Sequence, residues 1–356
     1  MIKLCCPKCK KEVKPKEDFY FCQLCDLKFT YKNNILDFRK DDAYWCHISK
    51  EMMNKFLDNA QKSGYGEACK LFPENQHWLF QDVPNRSDGT LFMDVDESSI
   101  GIDIGSGWGG LLLLMAKRFS KIIGVDKTIE TLALTHYKAL SENRKNIELY
   151  AADAKFLPFP NSQFDFAVMN GFLEWAGEEG DWSDGNISGK QNRTSPRDLQ
   201  IQTLKEAWRV LKPGGKLYLA IENRWGYTYF LGNPDPHLGK WGYNLFPKKI
   251  ANIISKICLK RPYSTYIYSL GELKKILKIA GFTVKYEFTS FDDYEQPNAI
   301  MPISKESLPL LKYYFEHYHF KGMSKIKKNI WRLIIKTGLI RKIVPCFILI
   351  LEKDEK

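Results

Sequence analysis

Long apolar runs are missing from this sequence. None reaches the roughly 20 residues of a bilayer-spanning helix, so no membrane span is expected within it. Met1 to Cys6 also lack the apolar core of a secretory signal. The expected location is the cytoplasm, with peripheral contact at the inner face of the membrane left open. Acids are outnumbered by bases, 42 to 53, for a formal net charge of +11. That balance fits an anionic partner (nucleic acid, a phospholipid surface or a phosphorylated substrate) or simply a basic surface. From Lys321 to Lys342 there is no acid at all among eight Lys or Arg. The remainder is ordinary for a globular chain: 356 residues, 44% apolar, enough for one large domain and a smaller one.

Nine cysteines are present, and four have metal-ligand spacing. Cys6-Pro7-Lys8-Cys9 and Cys22-Gln23-Leu24-Cys25 are two C-x-x-C knuckles. Each can place two sulfurs on one ion, and the pair completes a tetrahedral S₄ site, structural because it is closed. Zn²⁺ suits it best, with an iron–sulfur centre as the lesser alternative. Cys5 adjoins Cys6, but Cys6 keeps the spacing. Phe19 to Phe21, Phe29 and Tyr31 can form small strands around the knuckles, held by the metal in a segment poor in apolar residues. The ribbon resembles those at the front of some RNA methyltransferases and the small zinc-binding activator of tRNA and protein methyltransferases. That resemblance covers about forty residues and rests on the four cysteines.

Farther on, Ser99 to Ile104 reads as a strand that runs into Gly105-Ser106-Gly107-Trp108-Gly109-Gly110, followed by an apolar helix through Phe119. Glycines allow a sharp turn and a close ligand approach, and the new helix offers unpaired N–H groups. Strand two, Lys121 to Val125, ends in Asp126, placed to grip two ribose hydroxyls. Strand three, Ile147 to Ala151, leads into Ala152-Asp153-Ala154, where an acid and the next N–H can meet an adenine edge. Phe164 to Met169, with Asp165 near its start, is a buried fourth strand. Lys212-Pro213-Gly214-Gly215 is a tight turn before the fifth, Lys216 to Glu222.

Asp103-x-Gly105-x-Gly107-x-Gly109, Gly124-Val125-Asp126, Ala152-Asp153-Ala154, Phe164-Asp165 and Arg209 to Leu217, in this order, resemble the class I S-adenosylmethionine-dependent methyltransferases, of the type 11/12 kind. The acid two residues before the first glycine and the Lys-Pro-Gly-Gly turn separate this pattern from a nicotinamide dehydrogenase. The resemblance implies an α/β, Rossmann-like, seven-stranded sheet with helices on both faces, beside the zinc ribbon. It also implies S-adenosylmethionine as cofactor. Gly105, Gly107 and Gly109 would line its methionine part, Asp103 orient the amino group, Asp126 hold the ribose, and Asp153 and Ala154 the adenine. Ser106, Lys127 and Asn170 complete the expected cofactor set.

The residues past strand four, Asn170 to Trp175, should face the methyl group, with Phe172 and Trp175 as walls for a sulfonium or as plain core. His237 is the first choice of general base, followed by Glu222 and Asp235, with Glu174 a further candidate. Arg224 could pair a substrate carboxylate or phosphate. The tyrosine-rich stretch Arg261 to Ser269 reads as a lid strand, and Val344 to Leu351 as a closing seventh strand, antiparallel between strands five and six by resemblance. The expected division is a zinc ribbon over 1–40 and a helical lead-in or cofactor flap over 41–98. The methyltransferase domain takes 99–356, with substrate insertions at about 177–197, a mobile loop, and 226–269, and a basic helical segment at about 305–342. Residues 222–297 resemble, more loosely, bacterial methyltransferases of surface-glycan and polyprenyl-lipid pathways. Three functions stay open: methyl transfer to an anionic small molecule, glycan or polyprenyl-linked sugar; RNA methylation docked by ribbon and basic tail; and a non-catalytic partner protein that keeps the fold. The basic tail itself suits an anionic membrane, a phosphate backbone, or simple packing.

Overall fold

The computed structural model describes residues 2–178, 180–183, 186–189, 194–291 and 293–354. The expected mobile loop over 177–197 falls in part outside these residues. Among the described residues, beside a small three-stranded sheet, a sheet of twelve strands organises the chain. Its centre is β5 (Ile100–Ile104), the strand before the glycine turn. On one side lie β6 (Lys121–Asp126) and then β7 (Ile147–Ala151); on the other lie β8 (Phe164–Asn170) and β9 (Leu211–Glu222). All five run parallel, with Ile102 opposite Ile123 and Leu217 opposite Ala167. Their near-continuous Ile, Val, Leu and Phe content reflects a sheet covered on both faces. The last strand, β12 (Cys346–Lys353), enters antiparallel between β9 and β10 (Phe282–Ser290). These seven strands have the order expected from the resemblance. β11 (Ile300–Pro302) then pairs with β10 at that edge.

The ribbon extends the opposite edge. β1 (Lys14–Pro15), β2 (Phe19–Cys22), β3 (Leu27–Lys32) and β4 (Ile35–Asp37) form an antiparallel meander. β4 continues it onto β7, in parallel, with Leu36 opposite Tyr150. Ile2, Leu4, Val13 and Phe29 share one apolar cluster with Ile102 and Val125 of the central strands. The ribbon therefore sits on the sheet edge and not on a tether.

Helices cover both faces. The helix Lys50–Ser63 starts at Ser49, whose hydroxyl accepts from the Met52 N–H, and buries Met53, Phe56, Leu57 and Ala60. These join Ala133 and Leu134 of the helix Ile129–Ser141, so the lead-in packs on the helix that follows Asp126. The helix Pro196–Val210 is capped by Ser195 and lies beside Leu270–Ala280, itself closed by a Ser269–Glu272 capping box. The helix after the glycine turn is shorter than expected, Gly110–Met115, and the chain passes through turns before β6. β9 is longer than expected because Leu211 pairs with Phe164 ahead of the Lys-Pro-Gly-Gly turn, which becomes a bulge within the strand.

Candidate functional site

The carboxyl ends of β5 to β9 carry two adjoining groups of polar side chains. The first surrounds the glycine turn. Gly105, Gly107 and Gly109 all take positive φ, at 78°, 50° and 75°. A Cβ on Gly105 would lie 2.2 Å from the Phe172 ring, and one on Gly109 would lie 2.4 Å from Thr135. On Gly107 it would meet nothing within 4 Å, so the turn is open to a ligand there. Asp126 stabilises this shape: its carboxylate accepts the Gly107 N–H at 2.9 Å and the Thr128 N–H at 2.7 Å. Asp103 is buried beneath the turn, and burial pushes its carboxyl up to about 7 against the pull of Arg86. Asp153 accepts the Lys155 N–H at 2.9 Å and pairs with the Lys155 ammonium at 3.2 Å.

Beside the turn, Ser106 Oγ and both Nδ2 and Oδ1 of Asn170 are buried without a hydrogen-bond partner in the protein. Buried polar atoms without partners are costly, so a polar ligand is the natural complement. Open space at Gly107, orphaned amide and hydroxyl atoms, and acids at the ends of β5, β6 and β7 fit an amino-acid-bearing nucleoside such as S-adenosylmethionine.

The ribbon reaches this site. Arg39, just past β4, is held by both oxygens of Asp37 and donates to the Lys127 carbonyl at 2.9 Å, next to Asp126. Lys10 pairs with Glu206 at 2.8 Å, and the same carboxylate accepts the Leu157 N–H at 2.9 Å, which fixes the loop after Asp153. The Cys5 N–H donates to the Pro158 carbonyl at 2.9 Å, away from the knuckles. Cys6, Cys9, Cys22 and Cys25 bring their sulfurs within 4.8 Å of one another, with Cys9 and Cys22 3.5 Å apart. Tetrahedral Zn–S bonds of about 2.3 Å place sulfurs about 3.8 Å apart, so the four fit such an ion.

The second group lies past the ends of β8 and β9. His237 Nε2 stands 3.7 Å from Glu222 and 4.0 Å from Glu174. Behind it, Asp235 accepts the His237 backbone N–H at 2.9 Å and faces Nδ1 at 3.1 Å. Tyr294 donates its hydroxyl to Glu222 Oε1 at 2.8 Å. Trp175 lies edge-on to the imidazole, with ring centroids 4.7 Å apart. Glu174 and Asp235 are fully buried. One oxygen of each glutamate, Glu174 Oε2 and Glu222 Oε2, is buried without a hydrogen-bond partner.

Charge crowding sets the protonation here. Burial, and then Glu174, push the Glu222 carboxyl up to about 7. Burial pulls His237 down, but Glu222, Asp235 and Glu174 outweigh it and hold the imidazole well above its ordinary value. The surroundings thus favour the imidazolium form of His237 and raise the Glu222 carboxyl toward neutrality. The two glutamates and His237 also have ligand atoms within 4.8 Å, a spacing that a metal ion could bridge.

Tyr294 joins the two groups. A Cβ on Gly171 would fall 2.9 Å from its hydroxyl, and Gly171 lies between Asn170 and the Phe172 ring that covers Gly105. Sequence reasoning named His237, Glu222, Glu174 and Asp235 but missed Tyr294, which comes from beyond β10 and has no local signature. Arg86, whose charge acts on Asp103, likewise has no local signature.

Two expectations on the substrate side are corrected. Arg224 does not face a substrate: its guanidinium is buried, pairs with Glu272 at 3.0 Å and donates to the carbonyls of Asn244 and Phe246. The Arg261 to Ser269 stretch is not a lid strand. Tyr263, Ile267 and Tyr268 are buried, and the Lys248 ammonium lies 4.5 Å over Tyr266 and 4.9 Å over Tyr268. Tyrosines that bury their rings around one lysine make a fixed wall.

Comparison with known proteins agrees with this architecture. Residues 102–219 match the methyltransferase domain family. Demethylmenaquinone methyltransferase of Staphylococcus carnosus is 26% identical over 244 residues, which cover 65% of this chain and 86% of the relative. Its counterpart in Protochlamydia amoebophila is 31% identical over 167 residues, 44% of this chain and 57% of the relative. Among solved structures, Haemonchus contortus phosphoethanolamine N-methyltransferase 2 in complex with S-adenosyl-L-methionine is similar, at 16% identity and a TM-score of 0.43; the match covers 84% of this chain and 60% of that one. The matched segment spans β5 to the middle of β9, the part that carries the glycine turn and its three acids, and this part of the chain is a methyltransferase domain of the class I, S-adenosylmethionine-dependent kind.

Proposed function

We propose that this methyltransferase acts on a hydroxyl group of a small, lipid-linked acceptor, such as a polyprenyl-linked sugar or a quinol, bound against Glu222. The observation that carries this reading is the buried Glu222 Oε2, which accepts no hydrogen bond and lies 3.7 Å from His237 Nε2. S-adenosylmethionine supplies an electrophilic methyl group on a sulfonium. Transfer from it needs an in-line acceptor that has lost its proton. Glu222, titrating near 7, takes the acceptor proton at Oε2. Tyr294 fixes the other oxygen, and the His237 imidazolium, held by Asp235, balances the carboxylate charge. This ordering prefers Glu222 to His237 as the base, because an imidazole that keeps its proton cannot accept another.

On the cofactor side, Asp103 meets the amino group, Asp126 the ribose, and Asp153 with the Ala154 N–H the adenine. Asn170 and Ser106 satisfy their orphaned atoms on the same ligand, with Gly105, Gly107, Gly109 and Lys127 as its backbone frame. The Cys6, Cys9, Cys22 and Cys25 site is proposed to hold a structural Zn²⁺ in a ribbon over residues 1–40 that braces the Asp126 and Asp153 loops. Residues 41–98 are its packing lead-in, and 99–356 the methyltransferase domain. The names of the demethylmenaquinone methyltransferases support a lipid-like acceptor.

The test supplies methyl-labelled S-adenosylmethionine to the purified protein with an extract of the source cells, then counts label in lipid, glycan, small-molecule, RNA and protein fractions. Label in a lipid-extractable fraction, released with its headgroup, is expected. Label in RNA would overturn the acceptor assignment and make the ribbon and basic helix docking surfaces instead.

A further inference from the structure

Amphipathic helices normally bury their apolar stripe. Two helices of this chain leave it in water. In Lys248–Cys258 the buried residues are Ala251 and Ser255, while Ile250, Ile253 and Ile257 are 46%, 58% and 64% exposed. In Lys325–Lys336 only Ile335 is buried, while Ile326, Ile330 and Leu333 are 74%, 53% and 61% exposed. Spacings of three and four residues place each trio on one face of its helix. Neither helix contains an acid. Lys249, Lys256 and Lys260 are exposed on or beside the first, and Lys325, Lys327 and Lys336 on the second.

The segment between β9 and the first helix continues the pattern. Phe230, Leu231, Trp241 and Phe246 are all exposed. This segment touches the second helix through Tyr227 and Trp331, whose rings meet edge-on at 4.9 Å. Trp241 is tied to the same turn by its indole N–H on the Tyr229 carbonyl at 2.7 Å. The exposed aromatics thus lie on the stretch that runs from Glu222 through His237 to Lys248, the same stretch that meets the second helix at Trp331.

The chemistry of this face discriminates between occupants. A nucleic acid would use the lysines and leave the isoleucines in water. A second copy of the chain would cover the isoleucines but set lysine against lysine. An anionic bilayer satisfies both: isoleucine, phenylalanine and tryptophan enter the headgroup and acyl boundary while lysines meet lipid phosphates. We propose that this face docks the enzyme on an anionic phospholipid bilayer. The docking stands independently of the acceptor assignment, although a lipid-linked acceptor would make use of it.

The test is sedimentation of the full chain with vesicles of phosphatidylcholine alone or mixed equally with phosphatidylglycerol. Binding to the anionic vesicles only, weakened by salt, is expected. The variants Ile253→Glu with Ile257→Glu, and Ile330→Glu with Leu333→Glu, should each lose about tenfold or more of that binding. Because these side chains are exposed, S-adenosylmethionine affinity and thermal stability should not change. Docking fails if anionic vesicles do not bind, or if the glutamate variants bind like the parent. Light scattering that shows a dimer broken by the same variants, with no vesicle binding, would assign the face to a second copy. Loss of lipid labelling in the acceptor experiment with vesicle binding intact would remove the acceptor assignment alone.

Discussion

Asp126→Ala separates cofactor binding from folding. The Asp126 carboxylate accepts two backbone N–H groups within its own turn, from Gly107 at 2.9 Å and Thr128 at 2.7 Å. In the proposed complex it also accepts from the ribose. Hydrogen bonds to a charged group contribute about 1.5–3 kcal/mol each, and removing one partner leaves the other to be solvated. The two turn donors sit at the open end of the sheet, where water can replace the lost acceptor. The fold should therefore survive with a loss of roughly 1–3 kcal/mol. Cofactor binding loses the ribose contact and the preset Gly107 backbone together. One charge-assisted bond of about 2 kcal/mol is already roughly 30-fold in affinity. Titration calorimetry with S-adenosylmethionine should show a loss of 30-fold or more, with circular dichroism reporting a folded protein. Unchanged affinity in a folded variant would refute the ribose role.

Three further outcomes follow from the same structure. Asp103 titrates at about 7, above its ordinary 3.8, and a cationic amino group favours its ionised form. S-adenosylmethionine affinity should rise with pH up to and through about 7, and calorimetry below that pH, in buffers of different ionisation enthalpy, should detect proton release. Gly105→Ala meets both a φ of 78° and the Phe172 ring, so it should reduce cofactor affinity beyond measurement, with Gly107→Ala, whose Cβ meets nothing within 4 Å, the milder of the two. Cys22→Ser should lower zinc content by metal analysis and weaken cofactor affinity as well as thermal stability. The reason is that Arg39 and Lys10 tie the ribbon to the Lys127 carbonyl and the Leu157 loop. Full zinc occupancy in the variant would count against the four-sulfur site.

The central sheet was legible because its signals are local. Each strand from β5 to β9 is largely apolar with a chemistry-bearing residue at, or within two residues of, its carboxyl end. Asp126 could be found from its distance to the glycines alone. His237, Glu222 and Glu174 were named from the loops that carry them, but their mutual distances follow from β8 and β9 being neighbours and from the return of the chain at Asp235. Tyr294 and Arg86 carry no pattern, since their side-chain contacts to Glu222 and Glu295 span 72 and 209 residues of sequence. The pairing of Leu36 with Tyr150 is likewise a tertiary choice: a two-residue register leaves no periodicity to read. Charge told least about Arg224 and Lys248. Both are basic residues near the substrate side, yet Glu272 and backbone carbonyls hold one and tyrosine rings surround the other.

The most direct measurement is the pH–rate profile of methyl transfer for the parent and for Glu222→Gln, with S-adenosylmethionine affinity measured in parallel. The substrate is the extract fraction that accepts label. A carboxylate that must lose its proton to act as base gives a rate that rises through about pH 7 and then levels, in accord with Glu222 at about 7. Removing a general base of this kind costs about 10²–10⁴-fold. The account predicts that Glu222→Gln loses at least the lower figure, loses the rising limb, and binds the cofactor like the parent. A variant that keeps both its rate and its pH dependence would contradict the assignment of Glu222 and of the site built around it.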